Sequence, residues 1–506
     1  MGGRSAGVAG HRVGPVMMLS PMLPFDPQET LTSYADRLSM YHTGRGMARL
    51  LKDFGIHREH FVSGRPEAVA GLAEATGHLC ADLHRNAIRV FQRGGEFRGE
   101  PTSKSFLLPQ AKRYCPACLV EDGSPTDWKF RLIWGFHHVQ RCDRHGVWLT
   151  ATSSAVATSL RVALNEVPIA VPVNATEETP TYLDWLRGRL AGDGIPETSW
   201  LSDQTLEQVL AASEMIGGVL QHGHKVKLTR LSPAETEEAT DIGFSICSEG
   251  PEAVEEALDT IRQTSPANAV QAGPLAYYGA LFDWLDRRSN SIDPGPIRDI
   301  LRNHIVKHSA VEPGTTVLGV EITERRYHTL YSLAAVVGID RPRLSRLLKK
   351  LGEIPANATE VDCGRMVFEA ATAVPMVEAF KTAVCLRDVP EYLGASKRQV
   401  ETLYREGIVL PLVPRSGPGS VRHVVFGRKQ LDELLARIAC LPEVERSRDQ
   451  DIHPISYACQ RGAGRFEHLF AEILQGSIPA FRNPDRTGIG SIVVNVGALI
   501  AAKTAA

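Results

Sequence analysis

Four residues constrain this chain more than any others: Cys115, Cys118, Cys142 and His145. They form Cys-x2-Cys, then 23 intervening residues, then Cys-x2-His. A two-residue spacer lets one tight turn aim both side chains at a single ion, and Pro116 and Gly146 favour such turns. Zinc takes four tetrahedral soft or borderline ligands, and here protein fills all four positions. No position is left for water, so the site reads as structural rather than catalytic, with one Zn2+ ion. Binding would contribute on the order of 10 kcal/mol to folding the surrounding lobe. Trp128, Trp134 and Trp148, half of the six tryptophans, fall in the same segment and are expected to form its apolar shell. His137 and His138 are further candidates, as replacement ligands or as bystanders. Cys80, Cys247, Cys363, Cys385, Cys440 and Cys459 are isolated and read as small core hydrophobes.

The 506 residues suffice for three or four domains of ordinary size. The net charge of -2 argues against a surface that grips nucleic acid everywhere, though not against a local basic face. No run approaches the roughly 20 apolar residues of a membrane span. The N-terminal twenty residues lack the apolar stretch of a secretory signal, so a cytoplasmic location without membrane contact is expected. That compartment disfavours a disulfide framework.

The expected fold class is mainly α and multidomain. Residues 1–20 read as a flexible arm, and 21–150 as a helical domain that ends in the zinc lobe. Within it, Leu31, Tyr34, Ala35 and Leu38 fall at helical spacing behind Pro27 and Glu29. Residues 72–88 have the spacing of a helix-turn-helix through Ala73, Gly77 and Leu83, but little positive charge. They read as a packed pair that supports the zinc lobe. Residues 151–290 read as a helical connecting region, with helices near 181–190, 204–220 and 252–263 and no recognisable chemistry.

From about residue 291 a pattern repeats. LAAVVGIDRPRLSRLLKKLGEIP (333–355) aligns with VPEYLGASKRQVETLYREGIVLP (389–411) at an offset of 56. Gly338 meets Gly394, Leu344 meets Val400, Leu347 meets Leu403 and Pro355 meets Pro411. The period is long and irregular, which suggests tandem small domains rather than a solenoid. The first unit, in 291–380, reads as a helix-turn-helix domain, with Ala334, Gly338 and Leu344 at the diagnostic positions. Leu344, Leu347, Leu348 and Leu351 make the buried stripe of its second helix. The other face carries Arg341, Arg343, Ser345, Arg346, Lys349 and Lys350, with five positive charges and no acid in ten residues. Such a helix can enter the major groove and hold phosphates at its flanks.

The second unit, in 381–440, reads as a winged helix. Ser396 and Gln399 make a capping box, and Lys397, Arg398, Gln399, Thr402 and Arg405 stay outward. Residues 409–426 read as a hairpin wing that carries Arg415 and Arg422. These outward residues suit double-stranded DNA or a protein partner. Residues 441–506 carry a third, degenerate copy of the helix-turn-helix pattern around ISYACQRGAGRFEHLFAEILQGSIP (455–479).

LPFDPQETLTSYADRL (23–38), LAEATG (72–77) and CPAC…CDRHGVWL (115–149) together resemble the TniQ family of bacterial transposition systems. PIRDILRNHIV…PGTTVLG (296–319) is similar, less specifically, to the C-terminal part of longer TniQ proteins. The resemblance implies a target-site selector that recognises a DNA site or docks on another targeting complex. It implies recruitment of an AAA+ ATPase and a transposase as partners, and a zinc role for the four ligands named above. It does not imply a recombinase, and no carboxylate cluster or activated nucleophile in the sequence suggests a catalytic residue. The alternative is a free-standing winged-helix transcription regulator with a structural zinc site.

Overall fold

The computed structural model describes residues 18–154, 156–175, 178–192, 199–267, 273–287, 292–413, 424–444 and 451–505. Among them the chain is mainly helical, with 23 α-helices and only short strands. No described helix is long and apolar enough to cross a membrane. The chain divides into two units, Met1–Ile305 with Thr316–Val320, and Val306–Thr315 with Glu321–Ala506.

In the first unit, Thr30 caps helix Leu31–Thr43 by accepting the Ser33 amide. Leu31, Tyr34, Ala35 and Leu38 are all buried, so the predicted helical face is the core face. It packs with Leu50, Val69, Leu72, Ala73 and Leu83 from the helices that follow. Helix Pro66–Thr76, Gly77 and helix Cys80–Arg85 form the expected pair. Of the arm expected over 1–20, residues 1–17 lie outside the described residues. The rest is docked, since the Leu19 amide donates to Ala75 at 3.0 Å. A three-stranded antiparallel sheet (Ile88–Val90, Gly95–Phe97, Glu100–Thr102) precedes the cysteine-bearing lobe.

Helices Thr181–Ala191, Leu206–His222 and Pro251–Gln263 lie where their spacing predicts them. Pro233–Glu249 and Pro274–Asp286 are additional. Helices Leu206–His222 and Pro233–Glu249 approach backbone to backbone. A Cβ on Gly217 would collide with the Ala239 carbonyl, and one on Gly243 with that of Ser213. Only glycine permits so close a crossing.

The second unit repeats one order of elements three times: strand, helix, turn, helix, strand, helix. The first copy runs through Tyr327–Thr329, Leu330–Val337, Arg341–Leu351, Val367–Glu369 and Ala370–Lys381, with an extra helix Glu360–Arg365 before its second strand. The second runs through Val384–Cys385, Val389–Leu393, Lys397–Arg405, Val425–Phe426 and Arg428–Ala439. The third runs through Ile452–Pro454, Ile455–Gln460, Phe466–Leu474, Ala480–Arg482, Ile492–Asn495 and Val496–Ala505, with an extra strand before its last helix.

The residues aligned at the offset of 56 play matching parts. Leu344, Leu347, Val400 and Leu403 are buried. Gly338 (φ +64°) and Gly394 (φ +59°) end the first helices in the left-handed conformation that glycine favours. The third copy, the weakest in sequence, has the same two helices flanked by strands. Its strands form an antiparallel sheet with Ile492–Asn495 between the other two. Leu469, Phe470 and Ile473 supply the buried stripe.

The first copy has its own core, built on Leu333, Leu344, Leu348 and Phe368. The second and third share one, in which Val400, Leu403 and Phe426 join Phe470, Ile489 and Val494. At the Gly394 turn the Gly490 amide donates to the Gly394 carbonyl at 2.8 Å.

Candidate metal centre and nucleic-acid interface

Short local elements deliver the four candidate metal-ligating side chains. Strand Arg113–Tyr114 pairs with Thr150–Ala151 and leads into Cys115, the N-cap of helix Pro116–Asp122. Pro116 occupies the first helical turn, where its missing N–H costs nothing. Cys118 lies one turn on, and its amide donates to the Cys115 sulfur at 3.4 Å. Cys142 starts a tight turn in which the Gly146 amide donates back to the Cys142 carbonyl at 2.9 Å. Gly146 (φ +61°) takes the left-handed position.

The ligand atoms of Cys115, Cys118, Cys142 and His145 all lie within 4.8 Å of one another. His145 Nδ1 is 3.6 Å from Cys115 Sγ, 3.3 Å from Cys118 Sγ and 3.6 Å from Cys142 Sγ. Cys118 and Cys142 sulfurs are 3.7 Å apart. A tetrahedron with arms of about 2.3 Å has edges of about 3.7 Å, so the donor set and its spacing fit a zinc-sized ion. The three cysteines are buried, and His145 is half-buried.

The surroundings favour ligation. Hydrogen bonds from Cys118 and Cys142 pull the Cys115 thiol down to about 3, and the shared arrangement raises Cys118. His145 Nε2 meets Glu121 Oε1 at 2.9 Å, which fixes the ring so that Nδ1 faces the sulfurs. Burial works against a charge on His145, but Glu121 and Cys142 outweigh it and raise its pKa. Arg131 lies behind the cluster, paired with Asp122 at 2.8 Å and set over the Trp134 ring at 5.0 Å. Glu121 and Arg131 are neighbours of the cluster that cysteine spacing alone does not reveal.

One sequence expectation is corrected here. Trp128 and Trp134 belong to the lobe's core, but Trp148 is half-buried outside it, under the Arg141 guanidinium at 5.5 Å. Of the two readings of His137 and His138, the structure favours bystanders, since neither is in the cysteine–histidine cluster. They turn toward Glu214, with His138 Nε2 3.1 Å and His137 Nε2 4.0 Å from its carboxylate.

The lobe is fastened on two sides. The Thr30 amide donates to Phe130, and the Phe130 amide donates to Ser33 Oγ at 2.9 Å. Arg141 is buried against Glu237 of helix Pro233–Glu249, with Nε 2.8 Å from Oε2, and it donates to the Glu178 carbonyl.

On helix Arg341–Leu351 the expected basic face divides in two. Arg343, Arg346 and Lys350 are exposed at i, i+3 and i+7. Ser345 and Lys349 are engaged instead by the segment that includes helix Glu360–Arg365. Lys349 Nζ donates to the Ala358 carbonyl at 2.7 Å, and Ser345 Oγ to Cys363 Sγ at 3.6 Å. Arg341 stacks over Tyr331 at 5.6 Å. On helix Lys397–Arg405, Lys397, Arg398 and Arg405 are exposed and Thr402 is half-buried. Gln399 is occupied as a cap, because its Oε1 accepts the Ser396 amide at 2.8 Å. Arg415 and Arg422 lie outside the described residues, with the tip of the expected wing. At the wing's base the Leu412 amide donates to Val425 at 2.8 Å.

No curated protein matches the chain. The TniQ family model matches residues 21–149, the segment that includes the first helices and the cysteine–histidine lobe, so this N-terminal part of the chain is similar to a TniQ domain.

Proposed function

We propose that the chain is a DNA-binding adaptor for transposition, which selects a target site and recruits an AAA+ ATPase and a transposase. The match of residues 21–149 to the TniQ family model supports a role in transposition-associated targeting. The observation that carries the finer reading is the open face of Arg343, Arg346 and Lys350, on the second helix of a repeated unit in a chain with a TniQ domain. In this reading the three copies, in 291–380, 381–440 and 441–506, are helix-turn-helix and winged-helix modules. Arginine in the major groove reads guanine, and lysine at the flank holds phosphate.

The copies divide the work. The first and second present cations on their second helices. The third presents Glu467, His468 and Glu472 there and no lysine or arginine, which suits a packing or protein-facing role. One structural Zn2+ on Cys115, Cys118, Cys142 and His145 holds the TniQ lobe together. No catalytic step is assigned to this chain; the strand chemistry belongs to the transposase.

The test is selection from a random duplex DNA library with the full, zinc-loaded protein at physiological salt. An enriched motif that disappears in the Arg343→Ala, Arg346→Ala, Lys350→Ala triple variant supports the reading. No enrichment by the parent protein rejects direct sequence recognition.

A further inference from the structure

The first unit contains a cleft of about 1400 Å³ that has no part in the metal centre or the basic faces. Phe106, Met215, Val226, Leu228, Leu275 and Trp284 supply apolar walls. One wall is shaped by a break in helix Pro274–Asp286. Gly279 takes φ +53° and ψ −127° there, and the helix folds around the His224 carbonyl, which accepts the Ala280 amide at 2.8 Å. A Cβ on Gly279 would collide with that carbonyl.

Two of the cleft's polar side chains are almost fully buried, His138 at 3% and Glu214 at 5% exposure. His138 Nε2 lies 3.1 Å from Glu214 Oε2 and the more exposed His137 Nε2 lies 4.0 Å from Oε1, yet both ring nitrogens of His138 and Glu214 Oε1 have no hydrogen-bond partner. Buried polar atoms without partners are rare, and a carboxylate oxygen is among the costliest to leave so. Further charged residues of the lining are Glu207, which takes the Ser103 amide at 2.6 Å, Asp293, and Asp283, which pairs with Arg287. Exposed Lys225 and Lys227 also border the cleft.

We propose that this cleft receives an amphipathic peptide segment of a partner protein, with apolar side chains along the walls and one arginine or lysine hydrogen-bonded to Glu214 Oε1. The volume exceeds the ~300–1,000 Å³ usual for small-molecule sites, and two-sided apolar walls suit a helix laid in a groove. Acids in the lining disfavour nucleic acid. The bordering lysines disfavour a polybasic segment, so a single cationic anchor is specified. The inference does not depend on the DNA reading, since the cleft lies wholly in the first unit.

The probe is a displayed library of short random peptides, selected on the full zinc-loaded protein. Enriched peptides should share apolar residues at i, i+3 or i+4 spacing and one Arg or Lys. Their affinity should fall at least ~10-fold in Glu214→Gln, which keeps the shape of the side chain. Replacing the peptide's cation by norleucine should cost as much in the parent protein and little more in Glu214→Gln. Ala211→Trp, which fills the cleft from helix Leu206–His222, should abolish binding. No enrichment, an acidic or polybasic consensus, or peptides that bind Ala211→Trp as well as the parent would overturn the proposal.

Discussion

Glu121 accepts a hydrogen bond from His145 Nε2 at 2.9 Å, and the other nitrogen of that ring points into three cysteine sulfurs. A carboxylate in this position fixes the tautomer and makes the ring a better ligand. Glu121→Gln should therefore lower zinc affinity by ~10- to 100-fold without removing a ligand. Competition against a chromophoric chelator measures this directly. An unchanged affinity would mean that Glu121 serves only Arg144, its other partner at 2.9 Å.

Removal of a ligand should be more drastic and still local. Cys115→Ser should lose zinc and unfold the lobe around Trp134, because metal binding and folding are one process in such sites. The C-terminal copies have cores distinct from the lobe's, one for the first copy and one shared by the second and third, and should keep their hydrogen-exchange protection. Full zinc stoichiometry in Cys115→Ser would refute the ligand set.

The division of the basic helix predicts unlike effects for neighbouring lysines. Lys350→Ala or Arg346→Ala should weaken DNA binding and reduce its salt slope by about one charge. Lys349→Ala should leave the slope alone and loosen helix Glu360–Arg365, whose preceding carbonyl, Ala358, it holds. Fluorescence anisotropy across a salt series separates the two outcomes.

Arg141 and Glu237 form an ion pair with side chains only 3% and 5% exposed. Removing one partner of a buried pair strands the other charge, at a cost of about 3–5 kcal/mol. Glu237→Gln should accordingly destabilise the junction between the zinc lobe and helix Pro233–Glu249. Hydrogen exchange should accelerate on both sides of the contact, and exchange confined to one side would reject the coupling.

Gly394→Ala tests the shared core of the last two copies. The residue sits at φ +59°, and a Cβ there would collide with the Thr487 carbonyl. Backbone strain of this kind costs about 1–3 kcal/mol, before the clash is counted. Both copies should lose stability together in chemical denaturation, whereas Gly338→Ala, with open space around it, should disturb only the first.

The metal ligands were legible because their spacing is local and chemically specific. Glu121 was nearly legible: it lies three residues after Cys118 on the same short helix, so it shares that helix face. Helix Pro233–Glu249 opens with Ser232, Pro233 and Glu235, a complete capping box, but its polar composition masked the signal. The third copy read as degenerate because its second helix lacks the positive charge of the first two, although its apolar stripe is intact. The covering of Ser345 and Lys349 could not be seen from helical periodicity, since the cover comes from residues 358–363. The cleft was invisible for the same reason, being assembled from segments as distant as Phe106 and Trp284.

The common core of Val384–Ala505 also sets what can be exchanged in this chain. Its sequence repeats in units of some fifty residues, yet a swap of the last copy alone would cut through Phe426, Phe470 and Val494 and leave two half-cores open to water. The heritable cassette, for recombination or for a designed chimera, is the pair of copies. The first copy, with its separate core, is the module that can be traded singly.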